Sequence, residues 1–267
     1  MQIQIGDVRL AFDDVGLGLP VVFLHGFPHD RTLWTQQRIA LSSRLRCIVP
    51  DLRGFGESTG VAHDIDTFAD DIAALLDQLE IEDAVICGLS MGGYIAMSMW
   101  RRHPGRVRAL VLCDTKAGAD TPEARTGRND LIAKAKSEGA GAVAEAQIAR
   151  MLGVDTHAER PEIVESMRAM MARQSTAAIT GALQALRDRP DSRETLGTIT
   201  VPTLVLVGED DVLTPPSEAE AMMALLPPAA HAQLELIAGA GHVSCMERPA
   251  AVTHALADFL ATLAAQH

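Results

Sequence analysis

The sequence predicts an α/β fold in which a mostly parallel central sheet is covered by helices on both faces. Short, continuously apolar runs alternate along the chain with longer segments of helical periodicity. Continuous runs, rather than runs that alternate with polar residues, are typical of strands buried on both faces. The chain has 267 residues, 48% of them hydrophobic, which suits one large α/β domain or one domain with an insertion.

The first part of the chain contains the strands and helices of one half of this fold. Residues 2–15 alternate well enough for two antiparallel strands around Gly6. Apolar runs predict buried strands at 21–24, 47–50, 84–87 and 107–113, and periodicity predicts helices at 33–43, 65–79 and 94–101. Asp64 or Asp66 is the expected N-cap of the second of these helices.

The pattern changes after residue 115. Residues 116–196, the helical segment, are rich in Ala, Arg, Glu and Met and carry no convincing strand. Gly and Pro interruptions suggest three or four helices, with breaks expected near Gly139, Gly153, Pro161 and Gly181. Strands are expected again at 203–207 and 233–237, and helices at 216–226 and 249–263. We therefore expect a core of residues 1–115 and 197–267, with residues 116–196 as a helical lid (cap).

Composition excludes several classes of partner. The net charge of −12 argues against nucleic acid and anionic membrane surfaces, whose negative charge repels the chain. No apolar run is long enough to span a bilayer and no signal peptide precedes the first strand, so we expect a cytoplasmic protein. The 4 cysteines lack metal-type spacing, and we expect neither a metal nor an organic cofactor. The oligomeric state stays open.

The stretch Cys87-Gly88-Leu89-Ser90-Met91-Gly92-Gly93 joins a predicted strand directly to a predicted helix. Such a sharp turn brings backbones close together, which glycine at both flanks permits. The turn would lift Ser90 out of the sheet, and the N-terminus of the following helix would direct amide groups to the same place. This arrangement suits a nucleophile that attacks a carbonyl carbon.

A nucleophilic serine needs a base, and the base needs an orienting carboxylate. Among 9 histidines, His242 stands out because it follows a glycine-rich loop directly after the last predicted strand. Three acids, Asp114, Asp210 and Asp211, end strands that should reach the same edge of the sheet. Asp211 is preferred as the acid, Asp114 is second and Asp210 is third. The order serine, acid, histidine is that of a known hydrolase architecture.

With these motifs, the chain resembles the α/β-hydrolase superfamily over essentially its full length, and most of all carboxylesterases and 3-oxoadipate enol-lactonases. The resemblance rests on five ordered motifs: His25 to Pro28, Asp51 to Ser58, Gly88 to Gly92, Asp211 to Pro215, and Gly239 to His242. It implies an oxyanion hole formed by the backbone N–H groups of Phe27 and Met91. His25-Gly26 at the oxyanion loop favours a general esterase over a specific lactonase.

The sequence thus predicts a serine hydrolase with Ser90 as nucleophile, His242 as base and Asp211 as the orienting acid. Its expected substrate is a small-molecule ester or lactone with a small to medium acyl group. Aromatic residues make up only 3% of the chain, which disfavours sugars. Three alternatives remain on the same fold: a carbon–carbon bond hydrolase, a perhydrolase, and a non-catalytic ligand receptor.

Overall fold

The structure is a computed structural model, and it describes residues 1–264. Within these residues, 1–264, eight strands form one sheet in the order β1-β2-β4-β3-β5-β6-β7-β8. Strand β2 is antiparallel to both of its neighbours, and the pairs from β4 to β8 are parallel. The strands are β1 Gln2–Ile5, β2 Val8–Val15, β3 Pro20–Leu24, β4 Arg46–Pro50, β5 Ala84–Leu89, β6 Val107–Cys113, β7 Thr203–Gly208 and β8 Gln233–Ile237. The prediction of a mostly parallel sheet is confirmed.

Helices connect these strands, and short 3₁₀ turns cover Arg31–Trp34, Pro104–Arg106 and Pro228–Ala230. The α-helices of the described part of the chain are α1 Thr35–Leu41, α2 Ile65–Gln78, α3 Met91–Arg102, α4 Pro122–Glu138, α5 Ala140–Met151, α6 Val154–Glu159, α7 Pro161–Ala172, α8 Thr176–Asp188, α9 Arg193–Leu196, α10 Pro216–Leu225, α11 Ser244–Glu247 and α12 Pro249–Ala264. Asp64, one of the two candidate caps, accepts a hydrogen bond from the Thr67 amide and caps α2.

Both faces of the sheet are buried because successive side chains of a strand point to opposite sides. Val22 and Leu24 of β3 join a core with α2 and α3, whereas Val21 and Phe23 join a second core with α1 and α12. This two-sided burial explains why the strands are continuously apolar in sequence.

Between β6 and β7 the chain leaves the sheet for the helical segment, which contains helices and no strand in the structure. Six helices, α4 to α9, lie there, so the estimate of three or four was too low. Gly139 and Gly153 separate helices as expected, but Gly181 lies inside α8. Short helices such as α6 and α9 span too few residues to show a clear apolar period, which is why they were missed.

Within residues 1–264, every helix is too short or too polar to cross a bilayer.

Candidate active site

Ser90 lies at the junction of β5 and α3 in a strained backbone conformation. Its φ is 54° and its ψ is −111°, a region that L-residues rarely adopt. A Cβ on Gly88 would lie 2.1 Å from the carbonyl oxygen of Gly92, so the turn requires glycine there. The sharp strand-to-helix turn expected from the sequence is therefore present, and Ser90 is only half-buried at its tip.

Neighbouring groups hold this strained turn in place. The Ser90 amide donates to the Cys113 carbonyl at 2.9 Å, and the Thr115 hydroxyl donates to the Ser90 carbonyl at 2.9 Å. As the first residue of α3, Met91 has no earlier carbonyl of its own helix to bind, so its amide is available at the helix N-terminus. The end of β6 thus fixes the nucleophile candidate from the neighbouring strand.

The structure brings the three sequence-predicted triad residues into one hydrogen-bonded chain. The imidazole Nε2 of His242 lies 2.9 Å from the Ser90 Oγ, and its Nδ1 lies 2.8 Å from the Asp211 Oδ2. His242 and Asp211 are 3% and 2% exposed. Asp211 therefore fixes the imidazole tautomer with a proton on Nδ1, and Nε2 is left to accept a proton from Ser90.

Asp211 is itself held by three donors from the loop after β7. The amides of Leu213 and Thr214 donate to Oδ1 at 2.8 and 3.0 Å, and the Thr214 hydroxyl donates to Oδ2 at 2.6 Å. Sequence reasoning missed Thr214, although its place three residues after a loop aspartate is a typical signal for such a bond. These contacts keep the carboxylate charged and aimed at His242.

Opposing effects set the protonation of this pair. Burial works against a charged imidazole, but the carboxylates of Asp211, Asp114 and Glu247 outweigh it and raise the pKa of His242 above its usual value. Burial also works against the Asp211 carboxylate, but His242 and the Thr214 hydrogen bonds lower the pKa of Asp211. The imidazole is therefore a stronger base than a free histidine.

The loop that follows β3 lies against Ser90. A Cβ on Gly26 would be 3.2 Å from the Ser90 Cβ, and Phe27, the next residue, lines the same cavity as Ser90. His25 anchors this loop: its Nε2 accepts a 3.0 Å bond from the Leu52 amide, and its Nδ1 donates to the Gly26 carbonyl at 2.8 Å. Burial lowers the pKa of His25, which keeps it neutral in this bracing role.

A connection between this loop and the helical segment was not predicted. Arg173, between α7 and α8, donates to both oxygens of the buried Asp30 at 2.7 Å. Gln174 donates to Asp30 at 2.9 Å and accepts a bond from the Gly56 amide at 3.0 Å. Because the partners are separated by more than a hundred residues, no local pattern could reveal these contacts.

Asp114, the second-choice acid, lies behind the triad. Its carboxylate accepts bonds from the Gly208 amide at 2.8 Å and from the Ser244 hydroxyl at 2.5 Å. It therefore ties the strand that leads to Asp211 to the residue two places after His242. Burial, followed by repulsion from Asp211, raises the pKa of Asp114 to about 8. The third candidate, Asp210, is exposed.

A cavity of about 510 Å³ opens in front of Ser90 and His242. The helical segment supplies much of its wall, including Leu131 of α4 and Met151 of α5. Three other methionines of the helical segment, Met167, Met170 and Met171, are buried in the core instead. The cavity also has charged walls, formed by Lys116, Asp120, Glu123, Arg128, Asp130 and Arg150.

Comparison with known proteins agrees with this architecture. A family model described as the alpha/beta hydrolase fold matches residues 20–249. A solved thermophilic esterase from Thermogutta terrifontis superposes with a TM-score of 0.94 and 40% identity, covering 98% of this chain and 99% of that one.

Two curated relatives with lower sequence identity have different enzyme names. The 3-oxoadipate enol-lactonase 2 of Acinetobacter baylyi is 29% identical over 88% of this chain and 86% of its own length. The 2-hydroxymuconate semialdehyde hydrolase of Pseudomonas sp. is 31% identical over 95% of this chain and 91% of its own.

Proposed function

The chain belongs to the α/β-hydrolase superfamily, and from this premise we propose that it is a serine hydrolase of carboxylic esters or lactones with small to medium acyl groups. The observation that carries the proposal is the continuous chain Ser90 Oγ, His242 and Asp211, with contacts of 2.9 and 2.8 Å. Similarity to an esterase and an enol-lactonase supports the ester and lactone class.

In the first half-reaction Ser90 Oγ attacks the substrate carbonyl carbon while His242 Nε2 takes the hydroxyl proton. Asp211 stabilises the imidazolium that forms. The carbonyl oxygen becomes an oxyanion, which accepts hydrogen bonds from the amides of Phe27 and Met91. When the tetrahedral intermediate collapses, His242 gives its proton to the leaving alcohol, and the acyl group stays on Ser90.

In the second half-reaction water replaces the alcohol. His242 removes a proton from water as the water oxygen attacks the acyl carbon, and the same two amides hold the oxyanion. Collapse returns the proton to Ser90 Oγ and releases the carboxylic acid. In a lactone the leaving oxygen remains part of the product, which is a hydroxy acid; an enol lactone gives an enol acid, which can tautomerise to a keto acid.

The helical segment acts as the lid of this site and sets acyl size. Leu131 and Met151 line the cavity beside Ser90 and offer an apolar wall of limited extent. The cavity of about 510 Å³ is at the smaller end of typical ligand sites. These features support small and medium acyl groups rather than long lipids.

Carbon–carbon bond hydrolysis by the same triad is the second candidate. It is supported by the relative whose name specifies a semialdehyde rather than an ester. Substrates distinguish the two functions: an esterase should have a higher kcat/KM on p-nitrophenyl acetate and butyrate, whereas a carbon–carbon bond hydrolase should have a higher kcat/KM on 2-hydroxymuconate semialdehyde.

The test of the proposal is Ser90→Ala, assayed on p-nitrophenyl butyrate. We expect kcat to fall by about four to six orders of magnitude while the fold is retained, because the nucleophile is lost. Ser98→Ala is the matched control, since Ser98 is a buried serine of α3 whose hydroxyl donates to Asp66. Absence of turnover by the wild-type chain on every ester and lactone would favour a ligand receptor and contradict the proposal.

A further inference from the structure

Glu247 of α11 is fully buried beside the histidine loop. Its Oε1 accepts hydrogen bonds from the amides of Gly241 at 2.9 Å and Val243 at 3.3 Å, the two residues that flank His242. One carboxylate oxygen thus binds the backbone on both sides of the histidine. The position of Glu247 therefore fixes the position of the histidine main chain.

The other oxygen of the same carboxylate binds the helical segment. Oε2 accepts bonds from the Gly153 amide and the Thr156 hydroxyl, each at 2.7 Å. Both donors belong to the α5–α6 junction, which we define as residues 151–156. Glu247 therefore joins the histidine loop to this junction through opposite oxygens.

The backbones of the two segments also touch directly. The His242 amide donates to the Met151 carbonyl at 3.0 Å. A Cβ on Gly241 would lie 2.5 Å from the Gly153 nitrogen, so the junction packs too closely for any other residue there. Met151 lines the cavity in front of Ser90. The α5–α6 junction therefore lines the cavity in front of Ser90 on one side and contacts the backbone of His242 on the other.

Hydrogen bonds from neutral groups, rather than an ion pair, stabilise this buried carboxylate. Within residues 1–264 no Lys, Arg or His side chain forms a salt bridge with it. Arg160 and Arg248 donate to the Glu247 carbonyl oxygen instead, at 2.6 and 3.0 Å. Because a buried charge without a countercharge is costly, loss of one donor should disturb the whole contact.

We propose that Glu247 is a positioning residue that couples the α5–α6 junction to His242, so that the histidine keeps its working geometry only while the junction is docked. For its catalytic consequence this inference rests on the proposed function. Its structural consequence does not, because the coupling changes amide protection and histidine titration even without a substrate.

Thr156→Val tests the coupling by changing the α5–α6 junction rather than the histidine loop. It removes one donor to Oε2 and nearly preserves side-chain shape, and Thr156 makes its side-chain bond to Glu247 rather than to the histidine loop. We expect faster hydrogen exchange at the amides of Gly241 and Val243 as well as at Gly153. On p-nitrophenyl butyrate, kcat should fall roughly tenfold to a hundredfold because the base is misplaced.

Two control variants show whether the changes in hydrogen exchange and kcat depend on the Thr156 hydroxyl. Thr156→Ser keeps the hydroxyl and should restore both exchange protection and kcat. Thr180→Val removes a hydroxyl that donates to the Ala177 carbonyl within α8, and should change neither quantity. If Thr156→Val loosens Gly153 alone and leaves Gly241 and Val243 protected, the junction and the histidine loop are independent and the inference is wrong.

Glu247→Gln provides a second measurement, the His242 titration followed by NMR of the imidazole Cε1 proton. Within residues 1–264, the titratable groups that act on His242 include Asp211 after β7, Asp114 at the end of β6, Glu247 in α11, and His29 after β3. Removing the Glu247 charge should lower the His242 pKa, and the acid limb of kcat/KM should move to lower pH with it. Glu165→Gln, an exposed site on α7, should move neither.

The outcomes separate the inference from the proposed function. If Ser90→Ala abolishes turnover while Thr156→Val and Glu247→Gln behave like their controls, the coupling fails and the hydrolase stands. If the exchange and titration effects appear in a chain that hydrolyses no ester, lactone or semialdehyde, the coupling stands and the hydrolase fails. An unchanged His242 pKa in Glu247→Gln overturns the electrostatic part of the coupling.

Discussion

The hydroxyl of Ser244 donates a 2.5 Å hydrogen bond to Asp114, and this contact separates the roles of the two buried aspartates. Asp114 binds the main chain and hydroxyl just after the histidine, whereas Asp211 binds the imidazole itself at 2.8 Å. We therefore expect Asp211→Asn to reduce kcat by about four orders of magnitude, since an amide no longer holds the required tautomer. Steady-state kinetics on p-nitrophenyl butyrate measures this.

Asp114→Asn and Asp210→Asn are the matched comparisons. Asp114→Asn retains a carbonyl oxygen to accept the Ser244 bond, so we expect less than about a hundredfold loss in kcat. Asp210→Asn should be nearly silent because Asp210 is exposed. A crippled Asp114→Asn beside a nearly normal Asp211→Asn would place the acid on β6 and contradict the assignment.

The raised pKa of His242 predicts the pH dependence. His242 must be neutral to accept the Ser90 proton, so kcat/KM should rise with pH through an apparent pKa above the usual 6.5 of histidine. Below that value the imidazolium predominates and activity is lost. A pH–rate profile between pH 5 and 9, with circular dichroism at each pH to verify folding, measures it. A flat profile would contradict a histidine base.

The parts of this site that depend on residues close together in the chain could be predicted from the sequence. The strained turn at Ser90 needs Gly88 within two positions, and His242 and Asp211 follow strands whose apolar runs are easy to recognise. Because parallel strands end at one edge of the sheet, knowing the strands was enough to expect these side chains in one place.

Contacts between distant segments could not be predicted in this way. Asp30 meets Arg173 and Glu247 meets Thr156 only after the helical segment has packed on the sheet. A buried acid also looks the same in sequence as an exposed one. Glu247, the last residue of the short helix α11, thus carries no local signal of the four donors that bind its carboxylate.

Cavity shape gives a prediction about acyl size. Leu131 of α4 lines the cavity, so Leu131→Phe should narrow it. We expect kcat/KM for p-nitrophenyl octanoate to fall at least about tenfold relative to p-nitrophenyl acetate, because overpacking excludes the longer chain. Ile39→Phe, at a 61% exposed site on α1, should leave the ratio unchanged. An unchanged ratio in Leu131→Phe would place acyl binding elsewhere.

His29 predicts how the free energy of unfolding depends on pH. It is fully buried, and neither ring nitrogen has a hydrogen-bond partner within residues 1–264. Burial, then the proximity of His25 and His242, lowers the pKa of His29 to about 3. In the unfolded chain the imidazole titrates near 6.5. Between these values the unfolded state takes up a proton that the folded state does not.

This difference in pKa between the folded and unfolded states determines how His29 affects stability. The contribution of His29 to stability is fully present above about pH 6.5 and is lost as pH falls toward 3. His29→Leu removes it, so between pH 7 and pH 5 the variant should lose about 2 kcal/mol less unfolding free energy than the wild type. His25 and the other histidines are shared by both proteins, so their contributions largely cancel.

Urea titrations at each pH measure the difference, with exposed His157→Leu expected to parallel the wild type. If His29→Leu also parallels the wild type, His29 is protonated or partnered in the folded state, and its placement as a neutral buried group is wrong.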